Sequence, residues 1–185
     1  MSKTDILKQL LVERSVRKGN FVLASGKSSS FYVDARLTTM SPEGMVTIGP
    51  LSLEQIEALN WHPDSVGGLT LGADPIAFAI SHASADRPVP LRAFTVRKEA
   101  KQHGTGNLIE GPFKPGDKVL IVEDVITTGK SAIQAIDAVE AAGGTIVGVL
   151  ALVDREDGGK EAIKSRGYDV VSLTTITELL AIPAG

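Results

Sequence analysis

The stretch Val119–Ser131, VLIVEDVITTGKS, holds the densest set of reactive groups in the sequence. An apolar run ends on two adjacent carboxylates, Glu123 and Asp124. The chain then passes through Val125, Ile126, Thr127, Thr128, Gly129, Lys130 and Ser131 into a helical pattern. Backbone N–H groups at a helix start, with small hydroxyl side chains beside them, form an anion site. Gly129 lets the backbone approach a phosphate closely. The ending Gly-Lys-Ser is that of a nucleoside-triphosphate P-loop, but that motif needs glycine five positions before Gly129, where this chain has Asp124. Two carboxylates beside the cradle would repel a polyphosphate. They suit a sugar diol, whose hydroxyls donate to them, or a metal ion held near it. Carboxylates for a ribose and a loop for its 5-phosphate point to a ribose 5-phosphate ligand. The plain alternative is a surface turn with two solvated acids and a capped helix.

A second group is Arg97, Lys98, Lys101 and His103, four potential cations within seven residues of a chain that is acidic overall. Gly104, Gly106 and Asn107 follow, a composition suited to a loop that opens and closes. Its alternative is a solvated basic loop after a strand. A third candidate is Arg155, just past the apolar run Thr145–Val153, where a guanidinium can fork onto a carboxylate. It could equally pair with Glu156 or Asp157 on the surface. His62 and His82 lack ligand-like spacing, and Trp61, just before His62-Pro63, is expected to cover the core edge.

The elements that must position these groups follow from pattern. In the N-terminal stretch, Ile6, Leu7, Leu10 and Leu11 fall on one helical face behind a possible Thr4 cap. Gly19–Asp34 reads as a hairpin or a pair of short strands, and Ser41-Pro42 as a helix start whose helix is disturbed near Gly49-Pro50. From about residue 65, strands alternate with helices. Strands are predicted at Val66–Leu71, Leu91–Val96, Lys118–Val122, Thr145–Val153 and Tyr168–Leu173. Helices are predicted from Asp74-Pro75, from Gly129 to Ala142, and over Ile176–Ile182. This is an α/β pattern: a parallel sheet with helices on both faces, its ligand outside the carboxyl ends of the strands. Residues of about 1–60 form a small cap over the same sheet edge, and residues of about 65–185 form the core.

At 185 residues, with 43% apolar and 22% charged side chains, the chain suits a single domain. It has no apolar run of about 18 residues for a membrane span. Charges at Lys3, Asp5, Lys8, Glu13 and Arg14 leave no signal-peptide core, so a cytoplasmic protein is expected. Cysteine is absent, which excludes thiolate catalysis and Cys-ligated metals. A net charge of −3 argues against a nucleic-acid partner.

VEDVITTGKS resembles the phosphoribosyl-diphosphate motif of the type I phosphoribosyltransferase family. Arg97-Lys98-Glu99-Ala100-Lys101-Gln102-His103-Gly104 is similar to the closing loop of the orotate-using members, and Leu23–Lys27 with Phe31-Tyr32 resembles their N-terminal hood. The resemblance implies that family's parallel-sheet core and hood. It also implies transfer of a phosphoribosyl group from phosphoribosyl diphosphate to orotate, in pyrimidine biosynthesis, giving orotidine 5′-monophosphate and diphosphate. Magnesium would be carried mainly by the diphosphate, with no dedicated metal-ligand residues. Residues 123–131 would bind phosphoribosyl diphosphate, with Asp124 catalytic. Arg97, Lys98, Lys101 and His103 would meet the diphosphate, with Lys101 the catalytic cation, while Thr127 and Arg155 would take orotate. The unit implied is a homodimer with shared active sites, in which the loop reaches the neighbouring subunit.

Donors aimed at a departing diphosphate would stabilise the charge that develops on it, and closure would keep water from the activated sugar. Two positions depart from the family pattern. Ala24 stands where some members have lysine, and the turn Leu69–Pro75 has none of the lysine that many carry. In that turn Asp74 could hold magnesium-bound water, but the cap of the following helix is its expected role. Phe31 and Tyr32 suit either stacking on a pyrimidine or hood packing. The competing readings are a phosphoribosyltransferase for a purine or other base, and a non-catalytic sensor of phosphoribosyl diphosphate.

Overall fold

The computed structural model describes residues 1–22, 28–99 and 108–183. Helix α1 (Lys3–Arg14) opens on a capping box. Ser2 Oγ accepts from the Asp5 N–H, and Asp5 Oδ2 accepts from the Ser2 N–H, so Ser2 takes the cap expected of Thr4. Strands β1 (Val16–Val22) and β2 (Ser28–Val33) pair antiparallel, as the hairpin pattern predicts. A short helix α2 (Arg36–Thr39) leads to α3 (Pro42–Ala58), capped by Ser41 with proline in its first turn. Pro50 does not disturb α3 as expected. The carbonyl it leaves without a donor belongs to Val46, whose side chain is 73% exposed, so water can serve that face. On the buried side of the helix Gly49 packs against the backbone of α4 (Asp74–Ala83), and this packing carries the helix through.

The main sheet contains β3 (Ser65–Leu69), β4 (Arg92–Val96), β5 (Ile109–Glu110), β6 (Lys118–Ile126), β7 (Thr145–Asp154) and β8 (Val170–Thr175). Their order is β5-β4-β3-β6-β7-β8, parallel throughout except for the short β5. Period-two alternation in β6 sorts the core. Leu120 and Val122 join Leu7, Ile48 and Ile80 on the side of α1, α3 and α4. Val119 and Ile121 join Ile136, Val139 and Ile163 on the side of α5 (Lys130–Ala141) and α6 (Gly159–Ser165). Helix α7 (Ile176–Leu180), the last helix among the described residues, lies beside α1. Trp61 lies over Gly148 of β7, covering the core edge as expected. The short elements α2, α6 and β5 carry too few residues to show a period, and the sequence does not predict them.

Candidate active site

An open cleft of about 1210 Å3 lies at the carboxyl ends of β3, β6 and β7, lined on its hood side by residues 28–36. Strand β6 continues beyond its expected end at Val122. Its ladder with β7 persists to Val125–Val153 and Ile126–Asp154, so Glu123 and Asp124 sit within the strand and inherit its rigidity. Glu123 is 7% exposed, and its Oε2 has no hydrogen-bond partner among the described residues. Burial pushes its carboxyl well above the usual carboxylate range, and the neighbouring Asp124 adds to the rise. Burial also raises Asp124, offset in part by the Val125 N–H, which donates to Oδ1 at 2.8 Å. A buried, unpaired carboxyl oxygen beside a second carboxylate is a ready acceptor pair for a diol or a hard cation.

The turn after β3 closes on this pair. The Thr70–Leu71 peptide is cis, and a Cβ at Gly72 would stand 2.5 Å from Asp124 Oδ1, so only glycine allows the approach. Asp74 is not the cap expected of it. The cap position is Ala73, without a side-chain hydrogen bond, and buried Asp74 instead accepts from Thr70 Oγ1 at 2.7 Å and Thr95 Oγ1 at 2.9 Å. It ties the turn to β4.

On the other side of the pair the chain turns through Thr127 and Thr128 to Gly129, whose φ of +78° needs glycine. A Cβ there would stand 2.8 Å from the Gly159 carbonyl oxygen, so α6 presses on the turn. No side chain caps α5, which leaves its first N–H groups free for an anion. Thr127, Thr128, Lys130 and Ser131 line the cleft, and Val125 reaches its wall. The Ile126 side chain is buried in the core, so any part it takes at this turn falls to its backbone.

Arg155 lines the cleft with its side chain 9% exposed, its guanidinium 5.2 Å above the Phe31 ring centroid. Nη2 lies 3.1 Å from Asp157 Oδ2, so the surface pairing weighed against a ligand role exists within the cleft wall itself. Phe31 thereby supports Arg155, and Tyr32 packs against Phe21 at 5.7 Å between ring centroids. Lys98 lines the cleft, and its carbonyl accepts from Gln134 Nε2 at 3.0 Å. Arg97 is not among the lining residues. Its guanidinium lies 3.6 Å from Glu110 on β5, with both side chains part-exposed. Lys101, His103, Gly104, Gly106 and Asn107, like the hood residues Leu23–Lys27, lie outside the described residues. His62 bonds Asn60, and His82 is exposed on α4. Asp34 and Arg36 complete the hood wall. Sequence reasoning passed over them because nothing in their spacing marks the short α2 that presents them.

The profile of the phosphoribosyl transferase domain matches residues 42–179. Orotate phosphoribosyltransferase of Aquifex aeolicus is 44% identical over 183 residues, spanning 97% of this chain and 99% of that protein. The chain belongs to the orotate phosphoribosyltransferase family. Crystal structures of the Mycobacterium tuberculosis member superpose closely. One, in complex with Fe(III) dicitrate, gives a TM-score of 0.86 at 43% identity, covering 96% of this chain and 99% of that one. Another, in complex with phosphoribosyl diphosphate, gives 0.82 at 40% identity with coverages of 96% and 99%. The parallel sheet, the hood and the cleft described above are thus those of an orotate phosphoribosyltransferase fold.

Proposed function

We infer that the chain transfers the 5-phosphoribosyl group from phosphoribosyl diphosphate to orotate, releasing diphosphate and forming orotidine 5′-monophosphate, a step of pyrimidine nucleotide synthesis. The observation that carries this reading is one cleft with three complementary corners. The uncapped start of α5 suits the 5-phosphate, the Glu123–Asp124 pair suits the ribose diol, and Arg155 over Phe31 suits a planar base with a carboxylate. A purine lacks that carboxylate, so Arg155 favours orotate over the purine reading.

In the reaction a ring nitrogen of orotate gives up its proton to solvent and bonds to ribose C1 as the C1–O bond breaks, and the electron pair of that bond leaves with diphosphate. Asp124 and Glu123 hold the diol so that C1 faces the base. Arg155 and Thr127 fix the base. Arg97, Lys98, Lys101 and His103 offset the charge gathering on diphosphate, with Lys101 acting on the ligand of the neighbouring subunit. Glu123 and Asp124 are oxygen donors of the kind magnesium takes, and magnesium brought in by the diphosphate would supply further charge neutralisation there.

A homodimer with shared sites would give cover to large apolar side chains left exposed here, among them Leu37 of α2, Met40 just after it, Val46 of α3, Phe78 of α4 and Leu71 at the cleft. No helix among the described residues is long and apolar enough to cross a membrane, and the reading places the enzyme in the cytoplasm with its soluble substrates. The experiment is a spectrophotometric assay with magnesium, offering orotate, uracil, adenine and hypoxanthine in competition. Orotate loss is expected. Turnover of a purine alone would replace the orotate assignment, and no turnover at saturating substrates would favour the sensor.

A further inference from the structure

The turn after β3 lines the cleft beside Asp124 and carries no cation, yet a diphosphate there would lie against two acidic side chains. Beyond the cations already assigned to the departing diphosphate, Lys98 among them, a further one facing this turn would come from another element. Among the described cleft-lining residues the cations are Arg36, Lys98, Lys130 and Arg155. Lys130 opens α5 at the phosphate corner, and Arg155 is committed to Phe31 and Asp157. Arg36 stands on the hood wall, at the start of α2. Its guanidinium is held in a two-point fork, with Nε donating to Asp34 Oδ1 at 2.8 Å and Nη2 to Asp34 Oδ2 at 3.0 Å. The backbone N–H of Arg36 also donates to Asp34 Oδ1, at 3.2 Å. The base of α2 is fixed by buried Thr38, whose hydroxyl meets Ser15 Oγ at 2.7 Å.

The fork uses two of the five guanidinium N–H donors and leaves three, including the pair on Nη1, on a side chain that is 45% exposed. The Arg36 charge also reaches Asp124 and favours its carboxylate form. A preoriented, half-exposed guanidinium with a free edge is a built anion contact, and it costs less side-chain entropy on binding than an untethered lysine.

We propose that Arg36, oriented by Asp34, is a substrate-binding residue for the diphosphate group of phosphoribosyl diphosphate, the cation that the β3 turn lacks. The inference rests on the phosphoribosyl-transfer reading of the cleft. Asp34 is a positioning residue that acts through Arg36.

The test compares wild type, Arg36→Ala, Asp34→Asn and the double variant. Each is assayed by steady-state kinetics in both substrates, with direct binding of inorganic diphosphate and of ribose 5-phosphate measured by calorimetry. Inactive wild-type protein would overturn the reading of the cleft itself, separately from this proposal. With active wild type, Arg36→Ala is expected to lower kcat/KM for phosphoribosyl diphosphate by roughly tenfold, the low end for one charge-assisted contact on an exposed side chain. The KM for orotate and the affinity for ribose 5-phosphate are expected to hold within about twofold, while diphosphate affinity falls.

Removing Arg36 also uncovers Asp34, and the double variant separates the two effects. A defect that persists in Asp34→Asn/Arg36→Ala supports a direct contact. Recovery of wild-type affinity there would mean that the bare Asp34 carboxylate caused the loss, and the proposal would be wrong. A rise confined to the orotate KM, equal loss of ribose 5-phosphate binding, or unchanged diphosphate affinity in folded Arg36→Ala would each overturn it.

Discussion

Gly72→Ala isolates the close approach between the β3 turn and the acidic pair. The added Cβ would stand 2.5 Å from Asp124 Oδ1 and 2.6 Å from its carboxyl carbon, roughly 1 Å short of ordinary van der Waals contact. The backbone at Gly72 does not have positive φ, so alanine meets no conformational penalty there and the effect is steric alone. Two adjustments are open. The carboxylate could swing away, losing the 2.8 Å hydrogen bond from the Val125 N–H, or the turn could back off, straining the tie from Thr70 to Asp74. Either displaces a reacting group by about 1 Å, and misplacement on that scale costs on the order of 100-fold in rate. Gly72 sits at the cleft rather than in either core cluster, so global stability is expected to change little. The assay is steady-state kinetics in both substrates beside thermal unfolding. A variant that melts like wild type with kcat/KM reduced by less than about threefold would refute the reasoning, since the site would then tolerate the shift.

Three further outcomes are expected. Glu123→Gln separates catalysis from stability. A carboxyl raised by burial binds its proton more tightly folded than unfolded, so wild type loses stability as pH rises from the ordinary value of 4.5 through the raised folded one. The glutamine variant is therefore expected to melt higher than wild type at pH 8, with the gap shrinking below pH 4.5, and to lose activity; an equal gap at both pH values would contradict the assignment. Asp74→Ala strands the hydroxyls of Thr70 and Thr95 and is expected to cost about 1–3 kcal/mol, read as a lower denaturant midpoint, with a raised KM for phosphoribosyl diphosphate. Asp124→Asn is expected to lose roughly 10- to 150-fold in kcat/KM and Lys101→Ala about 100- to 1000-fold in kcat, and mixing the two after subunit exchange is expected to return about a quarter of wild-type activity. Exchange proven by a mass tag with no activity regained would place the Lys101 loop in its own subunit.

The core was legible wherever period and burial agree. VLIV of β6 alternates between two faces, and both sides proved to be helix-covered. The acidic pair and the glycine turn were legible because their chemistry is local to one segment. What escaped depended on contacts distant in sequence. Asp74 looks like a helix cap beside Pro75, yet Thr95 on another strand gives its carboxylate a second donor and draws it inward. Pro50 reads as a break until the packing of Gly49 on α4 is known. Thr4 and Ser2 are equally plausible caps by type, and the choice turned on Asp5 lying three residues after Ser2. Arg36 has its orienting partner Asp34 only two residues away, but nothing in that spacing marks the cleft to which the α2 turn presents it.

The contact between Gly129 and Gly159 bears on how freely this scaffold can be retargeted. A Cβ at Gly159 would stand 2.5 Å from the Thr127 carbonyl oxygen and 2.7 Å from the Gly129 nitrogen, so neither glycine can gain a side chain unless the other yields. The segment ending at Gly159 is the same one that holds Arg155 and Asp157. Lengthening it to admit a bulkier base would lever Gly159 against the turn that faces the sugar phosphate. Selection or engineering for a new base is therefore steered toward side-chain exchange at Arg155 and Phe31, because insertions in this segment would loosen the hold on the shared phosphoribosyl donor.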